Sequence, residues 1–144
     1  MNQYIQARRI CLWLLCLCYS GLSSAETTGL EDGIRLYDQA AYDQAVRFFE
    51  REIVKNPSDS ERHHWLGKSI GRVAERAPWY EAFSLAKKSG KEMEKAVDLD
   101  PHNTAAVLSL LQFYEQAPAL VGGGEDKARK LRERMLQLGI SMPE

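Results

Sequence analysis

The chain has 144 residues, with 19 Lys and Arg, 20 Asp and Glu, and three cysteines. The near-neutral charge excludes a strongly basic nucleic-acid binder, and the length excludes a multidomain enzyme. All cysteines lie at or before Cys18, so the rest of the chain is not a disulfide scaffold.

The first 25 residues have the three parts of a secretory signal peptide. Arg8 and Arg9 give a cationic start, Ile10–Leu22 is an apolar run, and Ser23–Ala25 is a small-x-small exit. The run has about 13 residues, whereas a helix needs roughly 20 to cross a bilayer. We therefore expect cleavage rather than a stable membrane span, and export of residues 26–144 to a periplasm or out of the cell. The exported part would have a net charge of about −3.

Helical periodicity dominates the remaining sequence, and strand signals are nearly absent. In Tyr42–Lys55 the apolar residues recur every three or four positions. Asn56 and Pro57 then end the predicted helix, because proline lacks the amide hydrogen that a helix needs. The same rhythm runs through Lys87–Asp100 and ends before Pro101. The sequence therefore predicts an all-α domain.

Two stretches share a small residue, a large apolar residue four positions later and a proline eight positions after that. These are Ala45, Phe49 and Pro57, and then Ser89, Met93 and Pro101. The prolines are 44 residues apart, which is the 34-residue tetratricopeptide period plus an insertion of about ten. Between them Leu66-Gly67 matches the Leu-Gly pair that the family has in its first helix.

On these residues the chain resembles the tetratricopeptide repeat (TPR) family, and in particular small exported bacterial TPR proteins. The resemblance implies antiparallel helix hairpins stacked as a short right-handed superhelix of about three repeats, at approximately 26–59, 60–103 and 104–144. One hairpin cannot cover its own apolar stripe, so hairpins must stack. Gly67 has no side chain, and we expect the neighbouring helix to approach it closely.

Two insertions interrupt the period. The first, within Arg76–Lys87, predicts a single long helix over Trp79–Leu99. The second, Gln116–Gly124, contains three glycines that allow a tight reversal. We expect both to emerge at one edge of the domain. The candidate residues for packing or for a pocket there are Trp79, Phe83, Leu120 and Val121.

One predicted first helix carries a stripe of basic residues. His64, Lys68 and Arg72 are four residues apart and so share one side of the helix. The resemblance implies that first helices line a concave groove, which places the stripe between Tyr37 of the first repeat and Gln112 of the third. These five residues are a candidate site for an extended peptide or acidic segment. A solvated helix face is the alternative, because the Lys and Asn pattern of the family's carboxylate clamp is absent.

Three further features favour structural roles. Gly122–Gly124 lacks the Gly-Lys-Ser/Thr of a phosphate-binding loop, so we interpret it as a turn. His63 and His64 are adjacent and point in different directions, which makes them poor ligands for one metal ion. The basic residues of the last helix are typical of the polar face of a terminal repeat, with an anionic membrane as the alternative.

No residues have the spacing of a Ser/His/Asp or Cys/His set. Glu92 and Glu94 have lysines nearby on their own helix, which indicates solvated helix surface. We therefore expect an exported TPR-like protein–protein interaction module or scaffold with no catalytic activity, no cofactor, no metal and no nucleic-acid partner. The alternative is a small-molecule or lipid carrier with an apolar pocket beneath the two insertions.

Overall fold

The computed structural model describes residues 24–141, with side chains from residue 29 onward. The predicted signal peptide lies outside the described residues, except for Ser24 and Ala25, which begin the first helix. The chain divides into two compact units, Met1–Asp32 and Gly33–Glu144. Of the first unit, only the beginning of that helix is described. The features below belong to the second unit.

Every regular element in residues 24–141 is a helix, as predicted. The helices are α1 Ser24–Asp38, α2 Tyr42–Lys55, α3 Ser60–Ala74, α4 Trp79–Leu99, α5 Thr104–Gln116 and α6 Glu125–Leu138, with a 3₁₀ turn at Ala119–Val121. The predicted Trp79–Leu99 helix is confirmed at both of its ends. Within the same described range, no helix combines the length and the apolar character needed to cross a bilayer.

Side-chain caps start α3 and α5. Asp59 accepts a hydrogen bond from the backbone N–H of Arg62 at 2.9 Å, and Asn103 accepts one from that of Ala106 at 3.0 Å. Each cap lies two residues after a proline that follows the preceding helix. The proline prevents one helix from continuing and the cap begins the next, so the helix junctions are encoded locally.

Consecutive helices pack against each other from α2 to α6, and α3 also contacts α5. A Cβ on Gly67 of α3 would lie 2.8 Å from Met93 Cγ and 3.1 Å from the carbonyl oxygen of Ser89, both in α4. Ser89 Oγ also donates a hydrogen bond to the Gly67 carbonyl at 2.7 Å. The prediction that Gly67 permits a close helix approach is confirmed.

The apolar core fixes the buried faces of these helices. Its most completely buried large residues are Phe49, Ile70, Val97, Val107 and Leu111. Burying side chains of this size stabilises a fold by about 1.5–3 kcal/mol each before entropy is counted. Because Ile70 holds one side of α3 in the core, the residues on the opposite side of α3 face outward, where the candidate site lies.

Glu92 and Glu94 are partly exposed, but both also contact neighbouring helices, which the prediction of solvated helix surface did not include. Glu92 Oε2 lies 2.7 Å from Nδ1 of His63 in α3. Glu94 Oε1 accepts a hydrogen bond from the Tyr114 hydroxyl at 2.8 Å and another from Lys127 at 2.9 Å. Burial, aided by the Glu94 hydrogen bond, raises the pKa of Tyr114. The local charge pattern misled because these carboxylates find partners in tertiary contacts.

Candidate partner-binding groove

Four of the five residues predicted for partner binding line one groove of about 240 Å³. Tyr37 comes from the end of α1, Lys68 and Arg72 come from α3, and Gln112 comes from α5. We call the part of the groove formed by these four residues the cationic end. Its wall is therefore built from three different helices.

The amine of Lys68 lies over aromatic rings instead of beside a carboxylate. Its Nζ is 4.0 Å from the centroid of the Trp65 ring and 5.0 Å from that of Tyr37. Among the side chains of residues 29–141 it has no hydrogen bond and no ion pair, although Asp38 and Glu61 attract it from longer range. Burial lowers the pKa of Lys68. Lys68 is thus a half-buried cation whose N–H donors are available to a ligand.

Arg72, in contrast, already has a carboxylate partner. Its Nη1 lies 2.5 Å from Glu75 Oε2, and its guanidinium carbon is 5.4 Å from the centroid of the Tyr42 ring. The Tyr42 ring also packs against that of Tyr37, with 5.1 Å between centroids. Since Glu75 offsets the charge of Arg72, Lys68 supplies the uncompensated positive charge of the cationic end.

His64, the fifth predicted residue, does not line the groove. It is 2% exposed, with Nε2 at 2.9 Å from Ser109 Oγ and Nδ1 at 3.4 Å from Glu61 Oε2. Each four-residue step along an α-helix overshoots a full turn by about 40°, so the stripe drifts around α3 and its first residue faces α5. Burial lowers the pKa of His64, which favours the neutral ring. His64 joins α3 to α5 beneath the groove.

His63 is also buried, and it faces the opposite neighbours. Its Nδ1 lies 2.7 Å from Glu92 Oε2 and its Nε2 lies 3.1 Å from the Pro57 carbonyl oxygen. The two adjacent histidines therefore point to different helices, as predicted. Across the part of the chain that the structure describes, no three His, Cys, Asp or Glu residues are grouped so that they could hold a metal ion.

The two insertions line a larger, open groove of about 500 Å³. Trp79 and Phe83 of α4 contribute to it, together with Val121 of the 3₁₀ turn, and we call this part the aromatic end. Trp79 is 85% exposed, whereas Val121 is buried. Leu120 is 77% exposed and does not line the groove. Neighbouring side chains in a 3₁₀ turn diverge by about 120°, so only one of Leu120 and Val121 can face inward.

The cationic and aromatic ends form one continuous surface. The residues shared by both linings are Gly71, Glu75, Ser89, Phe113 and Gln116. Gly71 and Ser89 are small, whereas Glu75, Phe113 and Gln116 are the larger residues of the shared lining. A ligand of sufficient length can therefore contact Lys68 and the aromatic end together.

The three glycines form a turn whose amides are already used. The N–H groups of Gly122, Gly123 and Gly124 donate hydrogen bonds to backbone carbonyls at 3.0, 3.2 and 2.8 Å. Gly122 and Gly124 have φ values of 105° and 123°, which disfavour any residue with a Cβ. A Cβ at Gly123 would overlap the carbonyl of Ala117. These amides therefore hold the 3₁₀ turn in place and have no donor left for a phosphate.

Basic residues of α6 are partly neutralised by acidic partners. Arg132 contacts Glu115 of α5 at 2.6 Å and Glu125 of its own helix at 2.8 Å. Arg129 lies 3.0 Å from Asp126. Ion pairs at exposed positions contribute about 0–1 kcal/mol each, so they affect the surface charge of α6 more than its stability.

Phe113 lines the groove and Trp65 contacts Lys68, but neither was among the predicted site residues. Trp65 lies three residues before Lys68 on α3, a spacing that places the two side chains side by side and could have predicted the ring contact. Phe113 lines both ends and lies against Gly90, where a Cβ would come within 2.5 Å of its ring. No sequence signal marks Phe113, because its position depends on how α5 packs on α4.

No protein-family model matches the chain, and no curated protein matches it either. The function is therefore inferred from the order of the helices and from the chemistry of the groove.

Proposed function

We propose that the protein is an exported helical-repeat module of the TPR type that binds another protein through the continuous groove. One observation carries the proposal: α1, α3 and α5, every second helix, contribute side chains to the cationic end. In a stack of helix hairpins the alternate helices share a face, and such faces are extended binding surfaces. The proposed repeats are 26–59, 60–103 and 104–144, stacked as a short right-handed superhelix.

The contact between α3 and α5 supports this arrangement, because a stack requires the first helices of adjacent hairpins to meet. His64 and Ser109 hydrogen-bond across this contact at 2.9 Å. The side chains above it are polar and outward-facing, with Gln112 exposed on α5 and Lys68 half-buried on α3. The groove thus presents hydrogen-bond donors on a framework that is held by buried contacts.

Export is part of the proposal, and it rests on the first 25 residues. The expected product in a periplasm or culture medium is residues 26–144. Intact-mass measurement of the protein recovered from that compartment should give this mass. Recovery of the full 144-residue chain in the membrane fraction would contradict cleavage.

A small-molecule or lipid carrier is the second candidate, with the aromatic end as its pocket. The volume of about 500 Å³ and the aromatic lining favour it. The groove is open, however, and Trp79 on its lining is largely exposed. A small apolar ligand would remain in contact with water there, whereas a protein partner would cover the rings with its own surface. A protein partner is therefore the better fit.

Site-specific photo-crosslinking in the native host tests the proposed function. A photo-crosslinking amino acid is introduced at Gln112, which is exposed in the groove, and in a control at Arg51, which is exposed on α2 outside it. We expect a discrete crosslinked partner from Gln112 that is absent from Arg51. Equal products at both positions, or no protein product at Gln112, would overturn the proposal that the groove is the binding surface.

A further inference from the structure

The groove presents a cation and a set of ring surfaces at separate places along one channel. At the cationic end, Lys68 is the cation with no carboxylate partner among residues 29–141. At the aromatic end, Trp79 and Phe83 are exposed large hydrophobic residues. A ligand that is complementary to both ends must carry a negative charge and an apolar group, separated by a defined distance.

The geometry of α3 sets a lower limit to this distance. The groove follows α3 from Lys68 to Glu75, which corresponds to about 10 Å at the helical rise of 1.5 Å per residue. It then continues past Glu75 to the α4 residues Trp79 and Phe83. An extended peptide advances about 3.3 Å per residue, so a separation of four residues covers about 13 Å.

We propose that the groove binds an extended peptide segment of the partner, with a carboxylate at Lys68 and an aromatic side chain at least four residues away at the aromatic end. This assignment rests on the proposed function and specifies the chemistry of the partner. An even separation is required, because alternate side chains of an extended peptide point to the same face.

The middle of the groove suits a peptide backbone. Gln112 and Gln116 are exposed on α5 and contribute to the lining, and each amide side chain can both donate and accept hydrogen bonds. The N–H and C=O groups of an extended segment need such partners when water is displaced. Glu75 is already paired with Arg72, so it does not oppose the ligand's charge with a free carboxylate.

Fluorescently labelled synthetic peptides provide the test, in anisotropy titrations with the purified protein. The probes are acetylated and amidated peptides in which Asp and Phe lie two, four or six positions apart, with one, three or five alternating Ser and Thr residues between them. Each is made in both chain orders and with Asn-for-Asp and Ala-for-Phe controls. We expect one chain order to bind best at a separation of four or six, and neither order to bind tightly at a separation of two. Replacing Asp by Asn, or Phe by Ala, should weaken that peptide about tenfold in each case.

Protein variants assign each end. In Lys68→Met the preference for Asp over Asn should disappear, and Lys68→Arg should restore it. In Phe83→Ala the preference for Phe over Ala should fall. Lys95→Met and Leu120→Ala change exposed residues outside the groove lining and should leave both preferences intact. Urea unfolding of every variant identifies any that fail to fold. If Lys68→Met is one of them, the preference of Lys68→Arg for Asp over Asn tests the cationic end instead.

Three results would overturn the inference: neither chain order binds below about 1 mM, the Asp preference survives in Lys68→Met, or affinity does not depend on the separation. A crosslinked partner at Gln112 combined with any of these results would leave the proposed function standing and remove only the peptide chemistry. If neither the Gln112 crosslink nor peptide binding is observed, the groove is not a binding surface.

Discussion

The two ends of the groove are built in different ways. The cationic end lies on α1, α3 and α5, whose inner faces carry fully buried residues such as Ile70 and Leu111. The aromatic end comes from the beginning of α4 and from a three-residue turn, with Trp79 largely exposed. The charged residues of the groove thus lie on the packed helices of the fold, which we call the core. The exposed apolar residues lie in the two insertions, which we call the additions. Changes to the core and to the additions should therefore have separable effects.

The largest expected effect comes from the core beneath the cationic end. Leu111 is 1% exposed, so Leu111→Ala should lower the free energy of unfolding by about 2–5 kcal/mol through lost burial and a cavity. Leu120→Ala, the matched change at an exposed position of the 3₁₀ turn, should stay within about 0.5 kcal/mol. Urea unfolding followed by circular dichroism measures both. Similar losses for the two leucines would contradict the distinction between core and addition.

An intermediate effect is expected at the turn that holds the aromatic end. In Gly123→Ala the new methyl group would overlap the Ala117 carbonyl, and relieving it should cost about 1–3 kcal/mol. Gly71→Ala is the matched control, because its Cβ would meet only the Ser89 hydroxyl, at 3.2 Å. We expect the control to change stability by less than about 1 kcal/mol.

The fluorescence emission of Trp79 reports the local effect of the same two glycine variants. In proteins that also carry Trp13→Phe and Trp65→Phe, Trp79 is the remaining tryptophan. Its emission should shift in Gly123→Ala, because the turn that carries Val121 has moved, and should shift less in Gly71→Ala, which only adds a methyl group to the lining. An unchanged spectrum in both would show that the turn does not shape the aromatic end.

The smallest expected effect is a pH dependence of stability that arises at His64, beneath the cationic end. Burial lowers the folded-state pKa of His64 below its unfolded value of about 6.5. The unfolded chain therefore takes up this proton more readily, and the contribution of His64 to stability is lost as the pH falls below that value. Urea unfolding between pH 7.5 and pH 5, in steps of about 0.5, should show a shallower decline in His64→Gln than in the parent.

His102 offers the control, because it is an exposed histidine outside both linings. His102→Gln should keep the pH profile of the parent protein. If the His64 and His102 variants reduce the loss of unfolding free energy at low pH by the same amount, burial of His64 is not the cause of that loss.

Features that depend on one helix were predictable, and features that depend on several were not. The Trp79–Leu99 helix followed from an unbroken 3.6-residue rhythm, and the close approach at Gly67 followed from a family motif. The inward face of His64 did not follow, because equal spacing along a helix conceals its drift around the axis. Phe113 required knowledge of how α5 lies on α4, which no local pattern contains.

The position of His63 has a further consequence for the way the chain is joined together. Its two ring nitrogens lie beside a carboxylate and a carbonyl, and both of these groups only accept hydrogen bonds. One buried side chain therefore links the loop after α2 to the middle of α4, so a residue without two ring nitrogens at this position would leave at least one of these contacts unmade.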